Sequence, residues 1–274
     1  MTSLTGVPGT AAGAAPGTGP GHYGLAHAAR MEWIKLRSLR STVWALLLVV
    51  VGMIAIGVVT MANTSVPSSA AARATFDPTN NVLAGVALGQ LVVGVLGVLS
   101  MTSEYSSGTI RATLAAIPNR PLVLAAKTAV LGLVTLAVGE VVAFVTFFAG
   151  RAALTDAVTA PSLGDPGVFR AVVLAGVYLA QVTLIGIGLG ALTRHTAGGI
   201  GALVGVFYVL PAATVGLAGV TVASYFPTTI AANSLAVAKP VADCLSPWTG
   251  FGMLCLYTTA TLAAAGWSLT RRDA

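Results

Sequence analysis

Six apolar runs dominate the chain, at about 43–61, 82–101, 122–149, 171–192, 197–218 and 249–269. A helix rises 1.5 Å per residue, so about 20 apolar residues match the hydrocarbon thickness of a bilayer. The runs therefore predict six membrane-crossing helices, the third long enough to tilt or to project. Pro211 predicts a kink in the fifth.

The polar stretches between the runs have patterns of their own. From 25 to 41, Leu25, Ala29, Trp33 and Leu36 recur at i, i+4, i+8 and i+11, with Arg30, Lys35 and Arg37 off that stripe and Glu32 and Arg40 intruding on it. This predicts either a helix lying on an anionic membrane surface, with Trp33 in the headgroup zone, or a plain basic flank before the first span. The island 104–121 is more polar than its surroundings and carries Glu104, Arg111 and Arg120. A short helix over 107–116 would put Ile110, Leu114 and Ile117 on one apolar face, with Thr109, Arg111 and Thr113 pointing elsewhere. Pro118 stops that helix, and Pro121 suits the first turn of the next. Such an element is either a stiff wedge that receives force from a soluble partner or a turn whose arginines mark one side. The stretch 219–248 is apolar but broken by Pro227, Asn233, Lys239, Pro240, Asp243 and Pro247. It predicts one or two short helices dipping into the outer leaflet, or else an ordinary outside loop.

Within the spans, Gly85 and Gly89 have the small-xxx-small spacing that admits a close helix, although glycine is frequent in membrane helices generally. Glu140 is the acid deep inside a span. It either contacts a substrate or proton, or packs helices together, with Gln181 as a candidate partner.

Composition enters here and narrows the class. Of 274 residues, 56% are hydrophobic and 8% are charged, and the mean hydropathy is +0.89. A soluble domain carries about 25% charged residues, so the chain reads as an all-α polytopic membrane protein. The net charge of +6 does not point to nucleic acid, because the cations sit thinly at the ends of the runs. On one side fall Arg30, Lys35, Arg37, Arg40, Arg111, Arg120, Lys127, Arg194, Arg271 and Arg272, and on the other Arg73, Arg151, Arg170 and Lys239. That bias predicts both termini and the 104–121 island on the cytoplasmic side. Residues 1–24, rich in Gly, Ala, Pro and Thr, predict a disordered tail before a single membrane domain over 25–274, without the basic start and apolar run of a secretory signal.

Enzyme chemistry finds no foothold. There is no G-x-x-x-x-G-K-[ST] phosphate loop, no H-E-x-x-H and no G-x-S-x-G. His22, His27 and His195 are scattered, and Cys244 and Cys255 lack metal or redox spacing. The expectation is no catalytic residue, no metal and no cofactor.

The basic stretch 31–40 (MEWIKLRSLR), the loop 104–111 (EYSSGTIR) followed by Pro118-Asn119-Arg120, the turn 192–197 (LTRHTA) and the broken segment before the last run occur in a telling order. Together they resemble the permease subunit of an ABC-2 type ABC transporter, in the form common in actinobacteria. The resemblance covers about 31–273. It implies about six transmembrane helices, an N-terminal interfacial helix and a short cytoplasmic coupling helix seated on a separate ATPase subunit. It also implies a second permease chain, as homodimer or heterodimer, in a bacterial plasma membrane. Carried onto this sequence, Glu104, Gly108, Thr109, Arg111 and Arg120 become candidates for coupling, and Arg30, Trp33, Lys35 and Arg37 for the interfacial helix. Glu140 has no place in that pattern. Three other readings compete: a secondary transporter, a membrane-embedded enzyme, and a non-transporting anchor or immunity protein.

Overall fold

In the computed structural model, residues 24–65, 67–69, 76–154, 159–238 and 244–271 are described. The expected tail up to residue 23, together with Arg73, Asp156, Lys239, Asp243 and Arg272, lies outside them. The described residues are helical with no strand. In chain order the helices are α1 (Leu25–Ser38), α2 (Arg40–Ala62), α3 (Pro78–Val82), α4 (Val86–Ser106), α5 (Thr109–Ala116), α6 (Arg120–Ala152), α7 (Val168–Thr193), α8 (Thr196–Val204), α9 (Leu210–Ala218), α10 (Val220–Ala223), α11 (Pro227–Leu235) and α12 (Pro247–Arg271).

Five helices are long and apolar enough to cross a membrane: Arg40–Ala62, Pro78–Ser106, Arg120–Ala152, Val168–Thr193 and Thr196–Ala218. These are the first five runs, each lengthened by a few residues. Arg151 and Arg170, which lie just outside the third and fourth runs, are helical. The sixth run forms the 25-residue α12, less apolar because threonines, a tyrosine and tryptophans interrupt it. It follows α7 in the same direction. Cys255 accepts from Gln181 at 3.1 Å, Thr261 packs where Gly188 has no side chain, and Ser268 accepts from Arg194 at 3.4 Å.

The core is the α4–α7 contact, and glycine makes it possible. A Cβ at Gly97 would stand 2.3 Å from the Thr183 carbonyl oxygen, and one at Gly186 would stand 2.4 Å from that of Gly94. Both distances are impossible for any side chain, so the two backbones touch as small residues allow in membrane bundles. The predicted Gly85 and Gly89 serve α2 similarly, meeting the backbone and the sulfur of Met53. Phe147, Phe207, Leu179 and Ile187 fill the remaining interior.

Pro211 does perturb its helix. It lacks the N–H that would reach the Phe207 carbonyl four residues back, and residues Gly205–Val209 widen into a π-turn. The Thr228 hydroxyl of α11 donates to that carbonyl instead. The described part of the broken stretch contains two short helices, α10 and α11. At this far end of the bundle the Asp77 carboxylate caps α3 through Asn80 N–H at 3.0 Å. It also accepts from Val237 and Ala238 N–H at 2.6 and 2.9 Å. Arg170 donates to the Ser234 and Ala236 carbonyls at the end of α11, where a cation also complements the helix dipole.

Candidate functional site

The opposite end carries the 104–121 island, and the chain reverses there tightly. α4 ends at Ser106. Gly108, at φ 72°, takes the left-handed conformation that lets α5 start at once. α5 ends at Ala116 before Pro118. The Asn119 side chain then caps α6 by accepting from Leu122 N–H at 3.2 Å, with Pro121 in the first turn. Ile110 and Ile117 are buried and Leu114 half-buried, as the pattern predicted. Thr113 corrects the pattern. One helical turn from Ile110, it too faces inward and is buried.

Thr113 reaches a closed cluster of four charges from three other helices. Lys127 of α6 donates to Glu32 of α1 and to Glu104 of α4, at 2.7 Å each. Lys35 of α1 sits on the same two carboxylates, at 3.1 and 3.2 Å, and donates to the Thr113 hydroxyl at 3.3 Å. Thr113 in turn donates to the second oxygen of Glu104, at 3.3 Å. Two acids and two bases alternate, so the net charge is zero. Glu32, Glu104 and Lys127 are buried; Lys35 is the partly exposed member, at 35% of its side chain. Burial alone would lower the Lys35 pKa, but the Glu32 and Glu104 carboxylates outweigh it and hold it above the ordinary 10.5. A raised ammonium pKa stabilises the fold in full at pH below the ordinary value, and the contribution is lost as pH rises from there through the raised one.

The predicted coupling residues divide. Glu104 is sealed inside the cluster. Gly108, Thr109 and Arg111 are exposed on the rim, Thr109 bonded to Ser107 at 2.9 Å. Arg111 makes no ion pair among the described residues. Arg120 donates to the Leu269 carbonyl at 2.9 Å, and Arg194, stacked 5.3 Å from the Tyr105 ring, donates to Ser268. The two arginines thus close the C-terminal end of α12, where the helix dipole favours them.

The α1 stripe is likewise redrawn. Ala28 and Glu32 are its buried positions, whereas Leu25, Trp33 and Ile34 are exposed beside Arg30 and Arg37. Arg37 lies 5.9 Å from the Trp33 ring. So Glu32 does not intrude on the packed face; it defines that face. Arg40 belongs to α2, because the chain breaks at the extended Leu39. Glu140 and Gln181 are not brought together. Glu140 is half-buried between α6 and α7, its carboxyl fitting against Gly176, and it has no hydrogen bond or ion pair among the described residues. Gln181 donates to Cys255.

Sequence reading undervalued Glu32, Lys127 and Thr113. Two signals were present. Glu32 shares a helix face with Ala28 and Lys35, at i, i+4 and i+7. Lys127 stands several residues inside an apolar run, where a cation needs a partner.

No curated protein matches the chain. The profile of one protein family does, over residues 28–212, which is about two thirds of the chain and takes in α1 through the first turn of α9 with every member of the charge cluster. That family is described as ABC-2 family transporter protein, and the chain belongs to it as a multi-pass membrane component.

Proposed function

We propose that this membrane component is the permease of an exporter, driven by a separate ATPase subunit on the cytoplasmic side. α5 is the surface that receives the ATPase, and Arg111 is its free charged contact. One observation carries the reading: the closed cluster Glu32–Lys35–Glu104–Lys127, joined to α5 through Thr113. A push on α5 is passed at once to α1, α4 and α6, because none of the four charges can leave without stranding a buried counter-charge.

The bias of cations toward the α5 end supports a cytoplasmic position for that end and for both termini, with α12 as a sixth span. The exposed Trp33, Ile34, Arg30 and Arg37 suit α1 to the headgroup layer. A second permease chain, identical or not, completes the conduit in a bacterial plasma membrane, and nucleotide hydrolysis drives the substrate outward.

Arg111→Glu tests the coupling role. The exposed Arg111 side chain makes no ion pair among the described residues, so the variant should fold as wild type, yet lose both the copurifying ATPase and transport. Retention of both refutes the assignment. Thr109→Cys tests the orientation: an impermeant maleimide should label it in inside-out vesicles and not in intact cells. With Cys244 and Cys255 replaced by Ser, labelling of residue 109 from outside the cell would refute the reading.

A further inference from the structure

A long groove runs between α2 and α4, floored by α6. At the far end α2 is held close, since Gly85 meets the Met53 backbone and Gly57 meets the Val82 carbonyl. Toward the α5 end the two helices part and leave about 900 Å³ open to the side. The lining runs from Leu91 on α4 to Ser107, the residue that caps its end, about 24 Å at the helical rise. One leaflet of a bilayer with its headgroups is about 20–22 Å thick.

The groove is also polarised. Leu48, Leu91, Val95, Leu99 and Leu131 wall its length, and its polar lining gathers at the α5 end. There Lys35 offers the partly exposed charge of the cluster, while Glu32, Glu104 and Lys127 lie at 6%, 9% and 5% exposure. An occupant therefore meets an ammonium first. Ser41 and Ser103 line the same end, both exposed, with hydroxyls that donate to nothing among the described residues.

We propose that this groove binds one phospholipid from the leaflet at the α5 end. An acyl chain lies between α2 and α4, and the phosphate rests against Lys35, Ser41 and Ser103. A small soluble anion would leave the apolar walls unfilled. A lipid satisfies both parts, and its length is the length of the groove. Because the groove also touches Leu36 and Leu39, at the break between α1 and α2, a bound lipid braces that joint beside the charge cluster. The inference does not depend on the ATPase reading.

The test uses the full chain in vesicles of phosphatidylglycerol and phosphatidylcholine, extracted in mild detergent for native mass spectrometry. One phospholipid per chain should survive extraction. Val95→Trp, which fills the groove, should lower that retention about tenfold, close to 1.4 kcal/mol. Leu133→Trp, on an exposed face of α6 outside the groove, should not. Equal retention in all three proteins would mean annular lipid only and overturn the proposal. A second measurement needs no substitution: a phospholipid with a diazirine on its acyl chain should label the wild-type protein within 91–99. Labelling spread evenly over the exposed faces of α2 and α6 overturns the proposal. So does a disulfide joining two Val95→Cys chains, which would place a second copy in the groove.

Discussion

Replacing Lys127 with Met keeps an unbranched side chain of similar length and removes the charge at the centre of the cluster. Glu32 and Glu104 would each lose a partner at 2.7 Å, and the cluster would go from neutral to a net negative charge. Removing one member of a buried pair costs about 3–5 kcal/mol, because the remaining charge stays desolvated. Lys35 still stands 3.1 and 3.2 Å from the two carboxylates, so the low end, about 3 kcal/mol, is expected. For a chain of this size that lowers the unfolding temperature by about 6–12 °C. Glu32→Gln restores neutrality, leaving Glu104 with Lys35. In the double variant Lys127→Met/Glu32→Gln, the loss should therefore be smaller than the sum of the single losses by about 1–3 kcal/mol. The assay is thermal unfolding of the detergent-purified protein at neutral pH, where Lys35 is fully charged. If the two losses simply add, or if Lys127→Met unfolds no earlier than wild type, the four charges do not act as one unit.

Other contacts make narrower claims. Gly97→Ala should cost about 1–3 kcal/mol through overpacking, because its Cβ would meet the Thr183 carbonyl, whereas Gly201→Ala, inside a helix with open space around it, should unfold no earlier than wild type. Gly108→Val should cost about 1–2 kcal/mol for its left-handed backbone, and Gly108→Asn less; no neighbour lies within 4 Å, so conformation alone decides, and thermal unfolding ranks the pair. Thr228→Val leaves the Phe207 carbonyl without its donor and should cost about 1 kcal/mol, read by faster amide exchange in the π-turn. Asp77→Ala frees the Val237 and Ala238 amides and should speed maleimide labelling of Cys244, followed by mass spectrometry of its peptide.

The spans were legible because a bilayer leaves few choices: a run of about 20 apolar residues must become a helix that satisfies its own backbone. The same logic located Pro211, the two short helices after 219 and the α5 face. The charge cluster was not legible as a cluster. Its bonds join Glu32 to Lys127 across 95 residues and Lys35 to Glu104 across 69, and local periodicity has no access to such separations. Each member had a plausible local role instead: Glu32 as an irregularity, Lys35 as a surface cation, Lys127 as a topology marker. The proposed pairing of Glu140 with Gln181 failed for the complementary reason. Matching polarity does not fix azimuth, and Gln181 faces α12 while Glu140 faces Gly176.

The distribution of rigid contacts suggests why the cluster is ionic rather than apolar. The α4–α7 interface is already held by backbone contact at glycines, and a further apolar seam would only add adhesion without direction. Fixed charges at 2.7–3.2 Å, with the Thr113 hydroxyl of α5 at 3.3 Å, are directional: they resist sliding of α1, α4, α5 and α6 past one another, because each displacement unpairs a buried group. The α5 end therefore moves as one piece or not at all. Compliance must lie elsewhere, and α8 and α9 are built for it. They are the least buried of the five apolar spans, and a π-turn and a proline interrupt them. On the proposed coupling role, a push at α5 would be carried by the stiff α4–α7 pair and taken up where the backbone ladder is already broken.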